Sequence, residues 1–170
     1  MSNLWSWPEI SQALLDQAVQ GPDVQRVAFD SRQIEPGDLF FALAGDPGQR
    51  FNPSQRSTVD GHDYLLNAQA NGAVGAVVQR RIAECTLPQI VVADTYDALW
   101  QLGKAARQRL AEPVVAVTGS SGKTTAKRFL TDALDAYAPP GSFNNHIGVP
   151  LSLANATVDA SAWVFEVGTN

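Results

Sequence analysis

Apolar positions along this chain recur with two spacings, helical and strand-like, and the two take turns. Leu4–Val19 carries Ile10, Leu14 and Leu15 at helical intervals with Pro8 near its entry, and reads as a weakly amphipathic helix. Val24–Phe29 and Leu39–Leu43 are short runs of strand type. Between them lies Glu35-Pro36-Gly37-Asp38, with proline and glycine in turn order. Asp46–Val59 has no period and is rich in proline, glycine, serine and amides, the chemistry of a loop. His62–Asn71 is again helical and stops at Gly72; strands over Ala73–Val78 and Gln89–Ala93 follow. Asp94 stands as the cap of a helix whose inner face is Leu99, Leu102, Ala106 and Leu110; Gly103 within it costs roughly 1 kcal/mol relative to alanine. Val114–Val117 is a continuous apolar run. Ala126, Phe129, Leu130, Ala133, Leu134 and Tyr137 then repeat at the spacing of one helical face, and Ala162–Val167 is a last strand.

Strands that alternate with helices predict an α/β fold with parallel sheets. The change of character near Asp94 divides the chain into a small N-terminal α/β domain, 1–94, and the start of a second parallel-sheet domain, 95–170. No internal repeat and no long charge run interrupts this order.

Composition narrows the picture modestly. The 170 residues are 45% hydrophobic and 17% charged, which describes a globular chain rather than a disordered one. A net charge of −5 and an isoelectric point near 4.8 argue against a general nucleic-acid surface. Met1–Ile10 lacks the basic start and apolar core of a signal peptide, and no apolar run has the length of a bilayer span. Cys85 is the single cysteine, so no internal disulfide forms. A small buried or semi-exposed thiol in a reducing, cytoplasmic setting is the expectation.

The chemistry concentrates after Val117. Residues 118–125 read Thr-Gly-Ser-Ser-Gly-Lys-Thr-Thr, directly between a strand and a helix. Gly119 and Gly122 let the backbone approach phosphate. The amides of Ser120, Ser121 and the helix start face an anion, Lys123 reaches outer phosphates, and the hydroxyls of Thr124 and Thr125 open the helix, with Thr124 placed for Mg²⁺. The spacing is shorter than the common phosphate loop, since Val117 stands where its first glycine would be. The reading is a nucleoside triphosphate site. Glu166 follows the apolar run Ala162–Phe165 at the carboxyl end of a strand, the edge where open α/β sheets bind ligands.

Other polar groups keep two readings. Asn144 and Asn145 suit a turn as well as a ligand. Asp30-Ser31-Arg32 is either a self-bonded turn at a strand end or a site in which Arg32 grips a diphosphate and Ser31 a base or ribose edge. Asp60-Gly61-His62 reads as a helix cap, with a substrate contact from His62 the weaker alternative. His146 reads as a surface histidine.

These segments together resemble the Mur ligases, the ATP-dependent amide-forming enzymes of peptidoglycan assembly. The resemblance rests on Thr118–Thr125, on Asn144-Asn145-His146-Ile147-Gly148-Val149-Pro150 and on Glu166-Val167-Gly168-Thr169-Asn170. It rests also on Asp30-Ser31-Arg32, Pro36–Gly45 and Asp60-Gly61-His62 in the first domain. It implies a UDP-binding first domain with Ser31 and Arg32 as substrate contacts. In the second domain it implies ATP held by Lys123 and the loop, Mg²⁺ ligated by Thr124 and Glu166, and a substrate-side role for Asn144 and Asn145. The Asn-Asn-x-Ile-Gly-Val-Pro-Leu segment points to the type that joins D-alanyl-D-alanine to UDP-N-acetylmuramoyl-tripeptide. A type adding diaminopimelate or lysine, or a UDP-sugar and nucleotide binder without turnover, are the alternatives. Ser142 stands where the family's segment has asparagine, and Asp46–Val59 is longer than the family's loop. The family's remaining domain would follow Asn170, which makes the chain an N-terminal fragment of a ligase, by itself inactive.

Overall fold

The computed structural model describes residues 3–46, 59–141 and 143–168. Most of the expected Asp46–Val59 loop, the Ser142 departure and the terminal Thr169-Asn170 lie outside them. The chain forms two compact units, 1–102 and 103–170.

The first unit begins with helix α1 (Trp7–Leu15), shorter than the helical spacing suggested. Its start is fixed by a feature the apolar pattern does not show. The Ser6 hydroxyl accepts from the Glu9 amide while the Glu9 carboxylate accepts from the Ser6 amide, a reciprocal cap. The helix ends where Asp16 turns left-handed, φ 54°. Trp7, Ile10 and Ser11 are buried, whereas Leu15 is exposed, so the inner face is rotated from the expected one.

Four parallel strands follow: β1 (Arg26–Ala28), β2 (Asp38–Phe41), β3 (Gly75–Val78) and β4 (Gln89–Val91), side by side in chain order. The turn before β2 is anchored by Asp38, whose buried carboxylate takes the Arg26 guanidinium at 2.6 Å and the Glu35 amide at 2.8 Å. All four residues of β2 and of β3 are buried, as parallel strands covered on both faces require. On one face Phe40, Ala42, Ala76 and Val78 pack with Leu65 and Ala68 of α2 (Leu65–Ala70). On the other, Trp7 lies over Gly75, where a Cβ would come within 2.3 Å of the indole ring. Cys85 is buried in the first of these clusters, its thiol against Gln69 Oε1.

Helix α3 (Thr95–Arg109) is capped as expected: the Asp97 amide donates to Asp94 Oδ1 at 2.9 Å. The division between units falls within this helix rather than before it. Its first turns belong to the first unit, where Thr95 Oγ1 receives the Ala44 amide, Tyr96 donates its hydroxyl to the Ala44 carbonyl, and Leu99 and Leu102 are buried.

The second unit contains β5 (Val114–Val117), α4 (Lys123–Leu134), α5 (Gly148–Ala154) and β6 (Trp163–Glu166). β5 and β6 pair in parallel, with Val117 opposite Glu166. Trp163 and Phe165 form its core with Leu110, Ala156, Leu153 and Tyr137. β6 is buried throughout; β5 is only half covered, with Ala116 exposed.

Helix α4 corrects the sequence reading most clearly. Phe129 is 69% exposed, Leu134 and Ala133 are exposed as well, and the residue buried on this helix is Lys127. Tyr137 is not helical at all. Asp135 turns left-handed (φ 49°), and Tyr137 then bridges Trp163 beside β6. Gly103 of α3 has a packing reason: a Cβ there would meet Pro150 of α5 at 3.0 Å. Among the described residues no helix is long and apolar enough to cross a membrane.

Candidate nucleotide and metal site

Strand β5 delivers the chain to Thr118, and the helix that follows starts at Lys123, so residues 118–122 form the turn between them. Gly119 (φ 140°) and Gly122 (φ 75°) both take left-handed backbone, with no crowding to explain them; the glycines are there for conformation. The first rung of α4 is the Ala126 amide on the Gly122 carbonyl. The amides of Lys123, Thr124 and Thr125 therefore precede the helical ladder, at the positive end of the helix dipole, which favours an anion. Ser120, Ser121, Thr124 and Thr125 are exposed at this mouth. Lys123 lies across the loop, its ammonium donating to the Gly119 carbonyl at 2.6 Å.

The neighbouring strand brings the decisive group. Glu166 is 3% exposed, and neither carboxylate oxygen has a hydrogen-bond partner. Its register partner is Val117, the residue that enters the loop. An ionised carboxylate buried without partners costs several kcal/mol, and a cation bound beside it would offset that cost. Mg²⁺ fits the donor set. It takes hard oxygen ligands, binds through one or two carboxylates plus phosphate and water, and needs no dedicated protein cage. No cluster of three or more His, Cys, Asp or Glu occurs among the described residues.

The third component is the connection from α4 to α5. The Asn144 carbonyl accepts from the Gly168 amide at 2.7 Å, just past Glu166. A Cβ on Gly168 would stand 2.7 Å from that same oxygen, so only glycine lets the two segments meet. Asn145 Oδ1 accepts from the amides of Ile147 (3.2 Å) and Gly148 (2.8 Å), fixing the start of α5. Asn145 thus has the turn role open to it in the sequence, and Asn144 is brought beside the Glu166 strand end by its main chain. His146 is half-buried, and burial lowers its pKa.

In the first unit, the Asp30-Ser31-Arg32 segment is a short 3₁₀ turn following β1. Asp30 takes the Arg32 amide at 3.1 Å and its guanidinium at 2.9 and 2.7 Å. Arg32 holds Asp30 below the usual carboxylate range, chiefly through the side-chain hydrogen bond and against the effect of burial. The Arg32 side chain is 86% exposed, whereas Ser31 is 6% exposed and its carbonyl accepts from Asn71 Nδ2. The self-bonded turn is real, and it presents a guanidinium to solvent. His62, by contrast, is sealed in. Its Nδ1 meets Asp60 Oδ1 at 2.6 Å and its Nε2 receives the Gln79 amide at 2.8 Å, which requires the Nδ1–H tautomer. It ties the turn after β2 to the end of β3 and is not a surface contact.

Lys127 was not legible. A lysine between apolar helical positions reads as solvated, yet here its ammonium donates to the Pro139 and Gly141 carbonyls.

A parallel α/β unit with a glycine loop between strand and helix, and a buried carboxylate on the adjacent strand, defines a phosphate-loop type of fold. The chain belongs to the Mur ligase family. Residues 117–170 match the Mur ligase middle domain. The UDP-N-acetylmuramoyl-tripeptide–D-alanyl-D-alanine ligase of Haemophilus influenzae is 38% identical over 95% of this chain and 35% of its own length. The Escherichia coli ligase of the same name is 37% identical over 92% of this chain and 33% of its own. Among solved structures, a MurF from Acinetobacter baumannii aligns with a TM-score of 0.80 at 36% identity, covering 98% of this chain and 36% of that one. The MurF ligase of Thermotoga maritima, solved in complex with ADP, aligns with a TM-score of 0.62 at 32% identity, covering 84% of this chain and 32% of that one. The chain therefore spans about a third of the length of the relatives it matches.

Proposed function

We propose that this chain carries the UDP-substrate and nucleotide-binding parts of an ATP-dependent ligase that joins D-alanyl-D-alanine to UDP-N-acetylmuramoyl-tripeptide. The relatives that bear this activity in their names support it, at 30–38% identity. The observation that carries it is Glu166, a buried carboxylate without a partner, in register with the strand that enters the glycine loop.

In this reading the loop amides and Lys123 hold the ATP phosphates, Lys123 exchanging the Gly119 carbonyl for phosphate oxygen. Glu166 and the Thr124 hydroxyl hold Mg²⁺, which when bound offsets charge on the transferring phosphoryl group. The tripeptide carboxylate attacks the γ-phosphorus; the bond to the bridging oxygen breaks and ADP leaves. The dipeptide amine then adds to the acyl carbon, loses its proton and expels phosphate. The chain supplies positioning and charge, and no side-chain nucleophile. The exposed Arg32 guanidinium meets the diphosphate of the UDP end, and Ser31 is the second contact of that substrate. Asn144 and Asn145 stand on the substrate side of the phosphates.

Isothermal titration with Mg²⁺-ATP tests the site. Lys123→Ala should weaken binding by tenfold or more, as the loss of a charge-assisted contact of about 1.5–3 kcal/mol implies, whereas Ser120→Ala should leave it nearly unchanged. Equal affinity in wild type and Lys123→Ala would refute the loop assignment. Acceptor choice is read separately in the complete ligase, by comparing phosphate release with D-alanyl-D-alanine, diaminopimelate and lysine.

A further inference from the structure

Lys127 is left without a role by this function. It lies one helical turn beyond Lys123 on α4 and is 8% exposed. Lysine is rarely buried, because its ammonium is strongly hydrated and its removal from water must be compensated by satisfied donors. Here the compensation is main chain rather than a carboxylate: the Pro139 carbonyl at 3.2 Å and the Gly141 carbonyl at 2.5 Å. Both belong to one bend, and that bend leads directly to Asn144 and Asn145.

Among the described residues, the connection between α4 and α5 is fastened at its start, in its middle and near its end. At its start Tyr137 is paired to β6, its amide on the Ala162 carbonyl and its own carbonyl taking the Val164 amide. Near its end the Asn144 carbonyl takes the Gly168 amide, and Phe143 packs so closely on Gly148 that a Cβ there would come within 2.6 Å of its backbone. Between these, Lys127 is the tie to α4, the helix that opens in the glycine loop.

We propose that Lys127 is a positioning residue. Its ammonium couples the Pro139–Gly141 bend to the phosphate-loop helix, so that occupancy of the loop by a nucleoside triphosphate sets the order of the Asn144–Asn145 segment. The nucleotide half of this inference rests on the proposed function; the tie itself does not.

Hydrogen exchange on the chain as it stands, with and without Mg²⁺-ATP, tests both halves. Lys127→Met keeps the stem and removes the donors; Lys127→Arg keeps the charge. Without nucleotide, exchange at residues 143–148 should rise about tenfold in Lys127→Met, the loss of a charge-assisted hydrogen bond, with 114–117 and 163–166 unchanged and Lys127→Arg close to wild type. With Mg²⁺-ATP, protection of 143–148 should increase in wild type and Lys127→Arg but not in Lys127→Met. Nucleotide affinity by titration should stay within about threefold across the three proteins. Unchanged exchange at 143–148 in Lys127→Met overturns the tie, as does an equal loss of protection throughout 103–170. Should Lys127→Met fail to fold, wild type decides: no response of 143–148 to bound nucleotide overturns the coupling. If wild type binds no Mg²⁺-ATP, the nucleotide site is what fails, and the exchange comparison without nucleotide still decides the tie.

Discussion

At the scale of single residues, the site holds one group that works against the fold. Glu166 has no partner for either oxygen and is almost wholly buried. Glu166→Gln removes the charge while keeping the shape. In magnesium-free buffer it should stabilise the chain by about 2 kcal/mol in urea titration, and the same change should abolish the dependence of ATP binding on Mg²⁺. Asp60 is the opposite case. Burial alone would raise its pKa, but the hydrogen bonds from the His62 amide and ring and from Arg80 outweigh that and hold it below the usual carboxylate range. A carboxylate lowered in the folded state adds stability above its unfolded pKa and loses it as the pH falls through the folded value. Asp60→Asn should therefore cost stability at pH 7 and flatten the acid side of the stability profile below about pH 4. Thermal melts across pH 2–7 would show it; an unchanged acid limb would mean that Asp60 is not held by His62 and Arg80.

At the scale of elements, the existence and type of nearly every strand and helix could be read from the sequence, because their periods differ and glycine, proline and aspartate mark their ends. The loop at 118–125 and the strand-end position of Glu166 were legible for the same reason: both follow short apolar runs. The inner face of α4 was not. Its apolar period points to Phe129 and Leu134, yet both are exposed, and the buried contact is an ammonium bonded to carbonyls twelve and fourteen residues away. Periodicity counts apolar atoms and is blind to a polar group satisfied by distant main chain. Gly103 shows the same limit. Propensity alone predicts that Gly103→Ala gains roughly 1 kcal/mol, but the new methyl would press on the Pro150 backbone of α5. Net destabilisation in urea is the expected outcome; a stabilised variant would show that α5 yields.

At the scale of the whole molecule, the structure revises where the first unit should be cut. Residues 1–94 would lose Thr95, Tyr96, Leu99 and Leu102, all buried, with the two bonds to Ala44. Residues 1–102 should unfold cooperatively on heating and answer UDP with chemical-shift changes around Asp30–Arg32. Residues 1–94 should be less stable by several kcal/mol, since each large buried side chain contributes about 1.5–3 kcal/mol. Equal stability of the two pieces would place α3 outside the unit. The order of strands has a consequence for how this unit is made. Because β1, β2, β3 and β4 lie side by side in chain order, each strand pairs with the one made just before it. Parallel pairing is ordinarily slow, since loop entropy is lost before distant contacts form. Here every strand after β1 finds its first partner already made, so the sheet can assemble from its N-terminal edge while the rest of the chain is still emerging from the ribosome.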